Sequence, residues 1–455
     1  MWIAALLCGL LHGYGTARGQ DAVAEPPDHP TEPYLRVQRE AEPGGERVTL
    51  QVASRRLQST ANPPGPVIDL VGVVHLGDEA YFTTLQQYLA QHDVVLYEAV
   101  GRPPFVQPAA DLDDEQRARL TRKAMAFIHD VIDERTVGNV PVPPSAETLL
   151  DAVRSDNRLE AAWLRAALTD AWGRPIEYDI TDGVVKLRSL GADGEPGGEG
   201  AAADILDERP VPPARAAAAP NLQQRFARAL GLTFQLHAID YEQANFRHAD
   251  LPLERLRVLT TRSLEPRVAE GDAGPDGDGD ADADGGGAGK EGGTRELKEM
   301  MEMLDGRSVS GKIASMAMRF IGASPKLRAV TKMVLIEMLG QIEGDLSRMA
   351  GMPAGMRQMM EILIQDRNDI VLREIRRLIE SPDDQRPRTI AVFFGAGHMA
   401  DLEHRLVTEL GYEPAGDQWF DAFEVDTAGT GMSQADVAML RAMISAQMKA
   451  MQRAP

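Results

Sequence analysis

The sequence predicts an α/β fold: a central mixed, largely parallel sheet flanked by helices, with a helical subregion and two low-complexity insertions. Three observations carry that expectation. The β-branched runs VIDLVGVVH, ending at His75, and DVVLYEAV, over 93–100, are separated by a helical stretch of the length that makes a βαβ unit. A third run, TIAVFF from Thr389 to Phe394, passes directly into another helical stretch. Hydrophobic residues at 43% and charged residues at 26% are ordinary globular usage, so a chain of 455 residues can bury a large core.

The chain opens with an apolar run over 2–11 (WIAALLCGLL), too short to span a bilayer and followed by small and polar residues. Ala17-Arg18-Gly19 before Gln20 offers a small-x-small cleavage site. The expectation is a signal peptide over 1–19 and an exported protein, periplasmic or secreted; the absence of Lys and Arg ahead of the run leaves an uncleaved anchor open. Cys8 is the single cysteine, so a cleaved chain has neither disulfides nor thiolate metal ligands, and any metal must use His, Asp or Glu. Residues 20–44 are rich in Pro and Glu and read as a disordered lead-in.

The main domain is expected over 45–425. RVTLQVASRRL alternates apolar and polar residues as a half-buried strand does, NPPGP makes a turn, and VIDLVGVVH returns as the second strand of a hairpin. In the helix over 78–91, Tyr81, Leu85, Tyr88 and Leu89 share a face. Residues 112–134 and 145–170 read as helices, and PIEYDI as a short strand. Residues 190–220 read as a low-complexity surface insertion, 221–260 as a helix followed by a mixed polar and aromatic segment, and 268–294 as a Gly/Asp-rich insertion. In the second insertion Asp280, Asp282, Asp284, Gly285 and Glu291 match the calcium-loop spacing, but Gly287 stands where an apolar anchor belongs; a flexible acidic linker is the reading. A helical subregion follows over 295–380. Twelve of the twenty methionines lie between Met300 and Met360, at helical spacing that suits core packing. MADLEHRLVTEL is a helix, Gly411-Tyr412 a turn and WFDAFEVD a last strand. Ser433 caps a terminal amphipathic helix over 431–455, with Val437, Leu440, Ile444 and Met448 on one face.

The chemistry-bearing residues gather at strand ends. Gly72-Val73-Val74-His75 and Gly395-Ala396-Gly397-His398 are both G-x-x-H at a strand's carboxyl end, each directly before a helix, and Glu98 ends the strand between them in sequence. In open parallel sheets functional residues sit just beyond those ends. Three such ends would bring two imidazoles and a carboxylate together from residues more than three hundred apart. Two His and one carboxylate are a common ligand set for a divalent metal with open positions. Glu98 is either a ligand or a general base. Asp78, Glu79, Asp401 and Glu403 are read as acids favoured in the first turn of a helix. Asp240, Tyr241, Glu242, His248 and Asp250 either line a substrate cleft or form a solvated loop.

The stretches VIDLVGVVHLGDEAYFTTLQQYLAQHDVVLYEAV and TIAVFFGAGHMADLEHRLVTELGYEP resemble the two motifs of the TraB/PrgY/GumN family, which is grouped with the Tiki metalloproteases and is similar to erythromycin-esterase and ChaN-like folds. Asp366-Arg367-Asn368 resembles the helical element before the second motif; Arg367, singled out by that resemblance, either holds a carboxylate or oxyanion through its planar donors or makes a structural ion pair. The resemblance covers roughly 66–100 and 360–415. It implies an α/β fold and, for the Tiki branch, a metal-dependent hydrolase, peptidase-like, with a divalent ion (Mn, Co or Zn) on His75, His398 and Glu98. Two other readings stand beside it: a metal-free, esterase-like hydrolase with a histidine base, and a non-catalytic protein that binds a peptide or cofactor and regulates. The partner in each case is a peptide or small molecule. A net charge of −21 argues against nucleic acid, whose phosphates need a basic footprint. No segment after the N-terminal run is long and apolar enough to span a membrane.

Overall fold

The computed structural model describes residues 33–99, 103–106, 111–136, 141–213, 222–251, 318–341 and 362–453. The predicted signal peptide, the insertion at 268–294 with its calcium-like spacing, and most of the methionine-rich stretch lie outside those residues. The α/β class is as expected.

The central sheet is built from strands β1 (Leu35–Glu42), β2 (Gly45–Ser59), β3 (Val67–Val73), β5 (Val94–Tyr97), β10 (Phe246–His248), β11 (Thr389–Gly395) and β12 (Tyr412–Asp426). Its order is β1-β2-β3-β11-β5-β10, with β12 also paired to β2. The strands β3, β11, β5 and β10 are mutually parallel, whereas β1, β2 and β12 form an antiparallel wing. Helix α1 (Glu79–Leu89) connects β3 to β5 as the sequence predicts, but those strands do not touch: β11, three hundred residues later, lies between them.

Side chains of the parallel strands alternate between two cores. Val71, Val73, Val95, Tyr97, Ala391 and Phe393 face a layer containing α1, α5 (Leu222–Leu230) and α7 (Pro325–Leu339). Ile68, Leu70, Val94, Leu96, Ile390, Val392 and Phe394 face α8 (Arg367–Ile379) and α9 (Met399–Leu410). Burial on both faces is why these strands read as continuous apolar runs. Met318, Met333 and Met338 are buried in this packing.

A third core closes within 105–211. Here α2 (Asp114–Arg135), α3 (Ala146–Arg154) and α4 (Arg158–Ala167) are capped by Asp113, Ser145 and Asn157. They pack through Met125, Ile128, Leu149, Val153 and Leu164 against the antiparallel meander β6 (Glu177–Thr181), β7 (Val184–Ser189) and β8 (Ile205–Pro210).

Two expectations are corrected. Part of the lead-in at 20–44 is β1, which pairs with β2 in full register from Leu35 opposite Val52 to Glu42 opposite Gly45. The turn at Pro43-Gly44 makes this possible, since Gly44 takes φ +88. Part of 190–220 is β8, stabilised by its ladder to β7 rather than by composition. The terminal helix α10 (Gln434–Arg453) is present and begins at Ser433 as expected: the Ser433 hydroxyl accepts from Asp436 N–H at 3.1 Å, and Ser433 N–H donates to the Asp436 carboxylate at 3.0 Å. No helix among the described residues is long and apolar enough to cross a membrane.

Candidate functional site

The insertion of β11 between β3 and β5 sets Gly395 beside Val73 and Phe393 beside Tyr97, so three strands end at one level. His75 follows the first, Glu98 the second, and His398 closes a single 3-10 turn (Ala396–His398) after the third. The backbone N–H of Glu98 donates to Phe393 O at 3.2 Å, prolonging the ladder by one residue. Its side chain then folds over Gly395: Oε2 accepts the Gly395 N–H at 2.7 Å, and a Cβ on Gly395 would stand 3.3 Å from that oxygen.

Arg367, the first residue of α8, enters this edge just after a π turn over Ile362–Asp366. Its guanidinium donates to Glu98 Oε1 at 2.5 Å and grips Asp250 through Nε at 2.8 Å and Nη2 at 2.6 Å. Asp250, fully buried, lies two residues past β10, at the same edge of the sheet. Arg367 Nη1 stands 3.4 Å from His398 Nε2, which lies 3.9 Å from Glu98 Oε1. The other nitrogen of His398, Nδ1, is 2.8 Å from Asn368 Oδ1, and Asn368 donates in turn to Asp401 at 2.8 Å. His75 is placed from another direction. The two-residue strands β4 (Leu76–Gly77) and β9 (Thr233–Phe234) pair, Gln235 N–H donates to His75 O at 2.9 Å, and Gln235 Oε1 lies 2.8 Å from His75 Nδ1. Gln235 also donates to the buried Tyr241 hydroxyl at 2.9 Å.

Burial would raise the Glu98 pKa, but the Arg367 charge, helped by the two histidines and the Gly395 N–H, outweighs it and holds the carboxyl well below its usual range. Burial pushes the His398 imidazole down to about 4; Glu98 opposes this and Arg367 reinforces it. Burial likewise pushes His75 down, against the pull of Glu98. Arg367 stays charged because Glu98 and Asp250 overcome its desolvation. At neutral pH the cluster is therefore one guanidinium, two carboxylates and two neutral imidazoles, with a net charge of −1.

The structure thus unites His75, Glu98, His398 and Arg367, the four residues singled out in the sequence. It adds Asp250 and Tyr241 from the mixed segment, together with Gln235 and Asn368. Of the other residues in that segment, Glu242 clamps Arg154 and Arg165 and is not part of the cluster, and His248 Nε2 lies 2.5 Å from Ala99 O. Asp401 serves as the anchor of Asn368, whereas Glu403 pairs with Arg55 at 2.8 Å and accepts the Tyr34 hydroxyl at 2.9 Å. Gln235 gave no signal in the sequence. Asp250 gave one, its place in a dense polar and aromatic segment, which did not separate it from its polar neighbours.

The donor set does not suit a metal. The Arg367 guanidinium already lies against the Glu98 oxygen and the His398 nitrogen that would have to bind one. No group of three His, Cys, Asp or Glu side chains among the described residues is arranged to hold an ion.

Residues 111–208 are similar to a family described as type II secretion system (T2SS), protein G. The match falls on the unit that closes its own core over 105–211 and leaves the cluster above outside it. No curated protein and no solved structure matches the chain. These findings correct the expectation of a TraB/GumN, Tiki-like hydrolase and metalloprotease. The family model that matches is that of a secretion-system protein, and the residues expected to bind a metal are engaged by an arginine.

Proposed function

We propose that the cluster at the carboxyl edge of the sheet is the binding site for a small polar ligand or peptide end, held without a metal, in a protein of the cell envelope. One observation carries this reading: His75, Glu98, His398, Arg367 and Asp250 converge from five separate segments on one end of the sheet. Open α/β sheets bind ligands there. Burying these charges carries a desolvation cost that their pairing repays only in part, so stability alone is a weak account of the network. With Arg367 committed to its two carboxylates, Glu98 and the two neutral imidazoles offer acceptors, so the complementary ligand group is a hydrogen-bond donor, an ammonium, amide or hydroxyl. The match over 111–208 to a secretion-system family supports the envelope location and, with it, the exported state.

The neutral histidines favour a second reading, in which the ligand also gives up a proton: an unprotonated imidazole beside a carboxylate is the equipment of metal-free acid–base chemistry.

The test is a thermal-shift and calorimetric screen of the full chain against amines, amino acids, short peptides and polyols, repeated on Glu98→Gln and Arg367→Met. A ligand at a hundredfold its Kd stabilises the native state by about 2.7 kcal/mol. The expected result is at least one ligand whose shift disappears in Glu98→Gln while the fold persists. A complete panel with no shift, or shifts indifferent to Glu98→Gln, overturns the proposal; turnover of a hit establishes the second reading.

A further inference from the structure

We propose that Asn368 and Gln235 are positioning residues that fix His398 and His75 in the same tautomer, with the proton on Nδ1 and Nε2 left as an acceptor. The inference deepens the reading of the cluster as a ligand site, but its geometry stands apart from any ligand.

The argument is strongest at His398. The Asn368 amide nitrogen faces two groups that only accept, the Asp401 carboxylate at 2.8 Å and the His398 carbonyl at 3.2 Å. Turning the amide over would set its oxygen against both, so the atom 2.8 Å from His398 Nδ1 is Oδ1. A carbonyl oxygen accepts, hence Nδ1 carries the proton. The other end of the ring agrees independently. Nε2 stands 3.4 Å from Arg367 Nη1, and a guanidinium can only donate, so Nε2 is the acceptor. Asn368 has no exposed surface, and its neighbour Arg367 opens α8, so one helix terminus delivers both the ring's clamp and the charge on its far side.

His75 repeats the device with different elements. The Gln235 amide nitrogen faces the Tyr241 hydroxyl at 2.9 Å and Oε1 faces His75 Nδ1 at 2.8 Å, while the Gln235 N–H to His75 O bond ties the two residues backbone to backbone. Because a phenol hydroxyl both donates and accepts, the spectrum of His75 decides this amide's orientation, whereas acceptor-only partners fix that of Asn368. In both cases the partner is an amide and not a carboxylate. A carboxylate in that place would draw a second proton onto the ring, whereas an amide sets the tautomer and leaves the ring neutral.

The experiment is long-range nitrogen–proton NMR correlation on the full chain with nitrogen-15 histidine at neutral pH, with the two rings assigned through His75→Gln and His398→Gln. The expected spectrum shows both rings with a protonated Nδ1 and a bare Nε2. In Asn368→Asp the His398 Nδ1 proton is retained and the ring gains imidazolium character. In Asn368→Ala the ring loses its clamp on Nδ1 and keeps only the 3.4 Å contact of Nε2 with Arg367, so the two His398 nitrogen shifts move toward each other as the second tautomer becomes populated. Asp401→Ala, at a partly exposed anchor, frees the amide to turn over and gives the same direction of change with the core intact; Gln235→Ala does so for His75 alone. A protonated Nε2 in the unaltered chain, or a His398 spectrum unmoved in both Asp401→Ala and Asn368→Ala, overturns the proposal. The tautomers are read without ligand, so a failed ligand screen beside the expected spectra rejects the binding reading and leaves this one standing.

Discussion

At Gly395 the absence of one methyl group shapes the cluster. The Glu98 carboxylate lies over this residue and takes its N–H, and a Cβ there would press on Oε2 at 3.3 Å. Gly395→Ala is therefore expected to push the carboxylate off its seat and weaken its pairing with Arg367, at a stability cost of about 1–2 kcal/mol, as crowding in a packed site usually brings. Urea unfolding measures the cost, and loss of any ligand response at constant fold measures the displacement. Asp69 makes the opposite case, a buried acid with no part in that cluster. It accepts two bonds from Arg56 at 2.9 and 2.8 Å, one from the Tyr88 hydroxyl at 2.6 Å and one from His92 at 2.9 Å. Burial would raise its pKa, but those bonds hold it well below the ordinary carboxylate range. Asp69→Ala strands three donors around one small void and is expected to cost about 3 kcal/mol, the low end for breaking a buried pair because Arg56 is half-exposed and can rehydrate. A loss below about 1 kcal/mol in urea unfolding would contradict that account.

Among the elements, α10 is tied to the sheet layer through Arg441, which bridges two carboxylates, Glu337 at 2.7 Å and Glu46 at 2.8 Å. Val437 and Ile444 bury its apolar face, and Glu337 on α7, itself almost fully buried, receives Arg441 of α10 at 2.7 Å and Arg39 of β1 at 2.7 Å. Glu337→Ala is expected to cost about 2 kcal/mol, since charge-assisted bonds contribute roughly 1.5–3 each but both arginines regain water. Hydrogen exchange should show the loss concentrated in α10 and β1, with β3 and β11 unchanged. The legibility of the elements followed the range of the forces that hold them. The parallel strands were readable because burial on both faces makes them apolar runs, and α10 because Ser433 and its apolar spacing are local. β1 was not: LRVQREAE is polar by composition, and its order comes from a ladder to β2 closed by Pro43-Gly44. The strand-end position of His75, Glu98 and His398 was readable for the same local reason as the strands. What no local pattern contained was β11 slipping between β3 and β5, or Asp250 and Glu98 meeting one guanidinium from residues 117 and 269 positions away. That charge placement is what turned an expected metal site into an arginine-centred one.

Across the whole molecule these buried groups act together through pH. His398 has a folded pKa of about 4 against roughly 6.5 in an unfolded chain. Between those values the unfolded chain takes up a proton that the folded ring refuses, so stability rises with pH across the window and falls as the solution is acidified. For this one ring the loss amounts to about 2 kcal/mol by pH 5 and about 3 kcal/mol by pH 4. His75 is shifted in the same direction and adds to it. The carboxylates behave in the complementary way. Asp69 and Glu98 are held below their ordinary range, so their contribution is complete above roughly pH 4 and declines only below that, toward their folded values. The protein should therefore lose stability in two stages, the first below about pH 6.5 from histidines kept neutral and the second below about pH 4 from carboxylates kept charged. Urea midpoints measured from pH 8 to pH 3 should fall visibly between pH 7 and pH 5, and His398→Gln should flatten that first slope while leaving the second. A flat midpoint between pH 7 and pH 5 in the unaltered chain would mean that His398 takes up its proton in place. The imidazole beside Arg367 would then be a cation, and the acceptor role assigned to it at the edge of the sheet would fail with it.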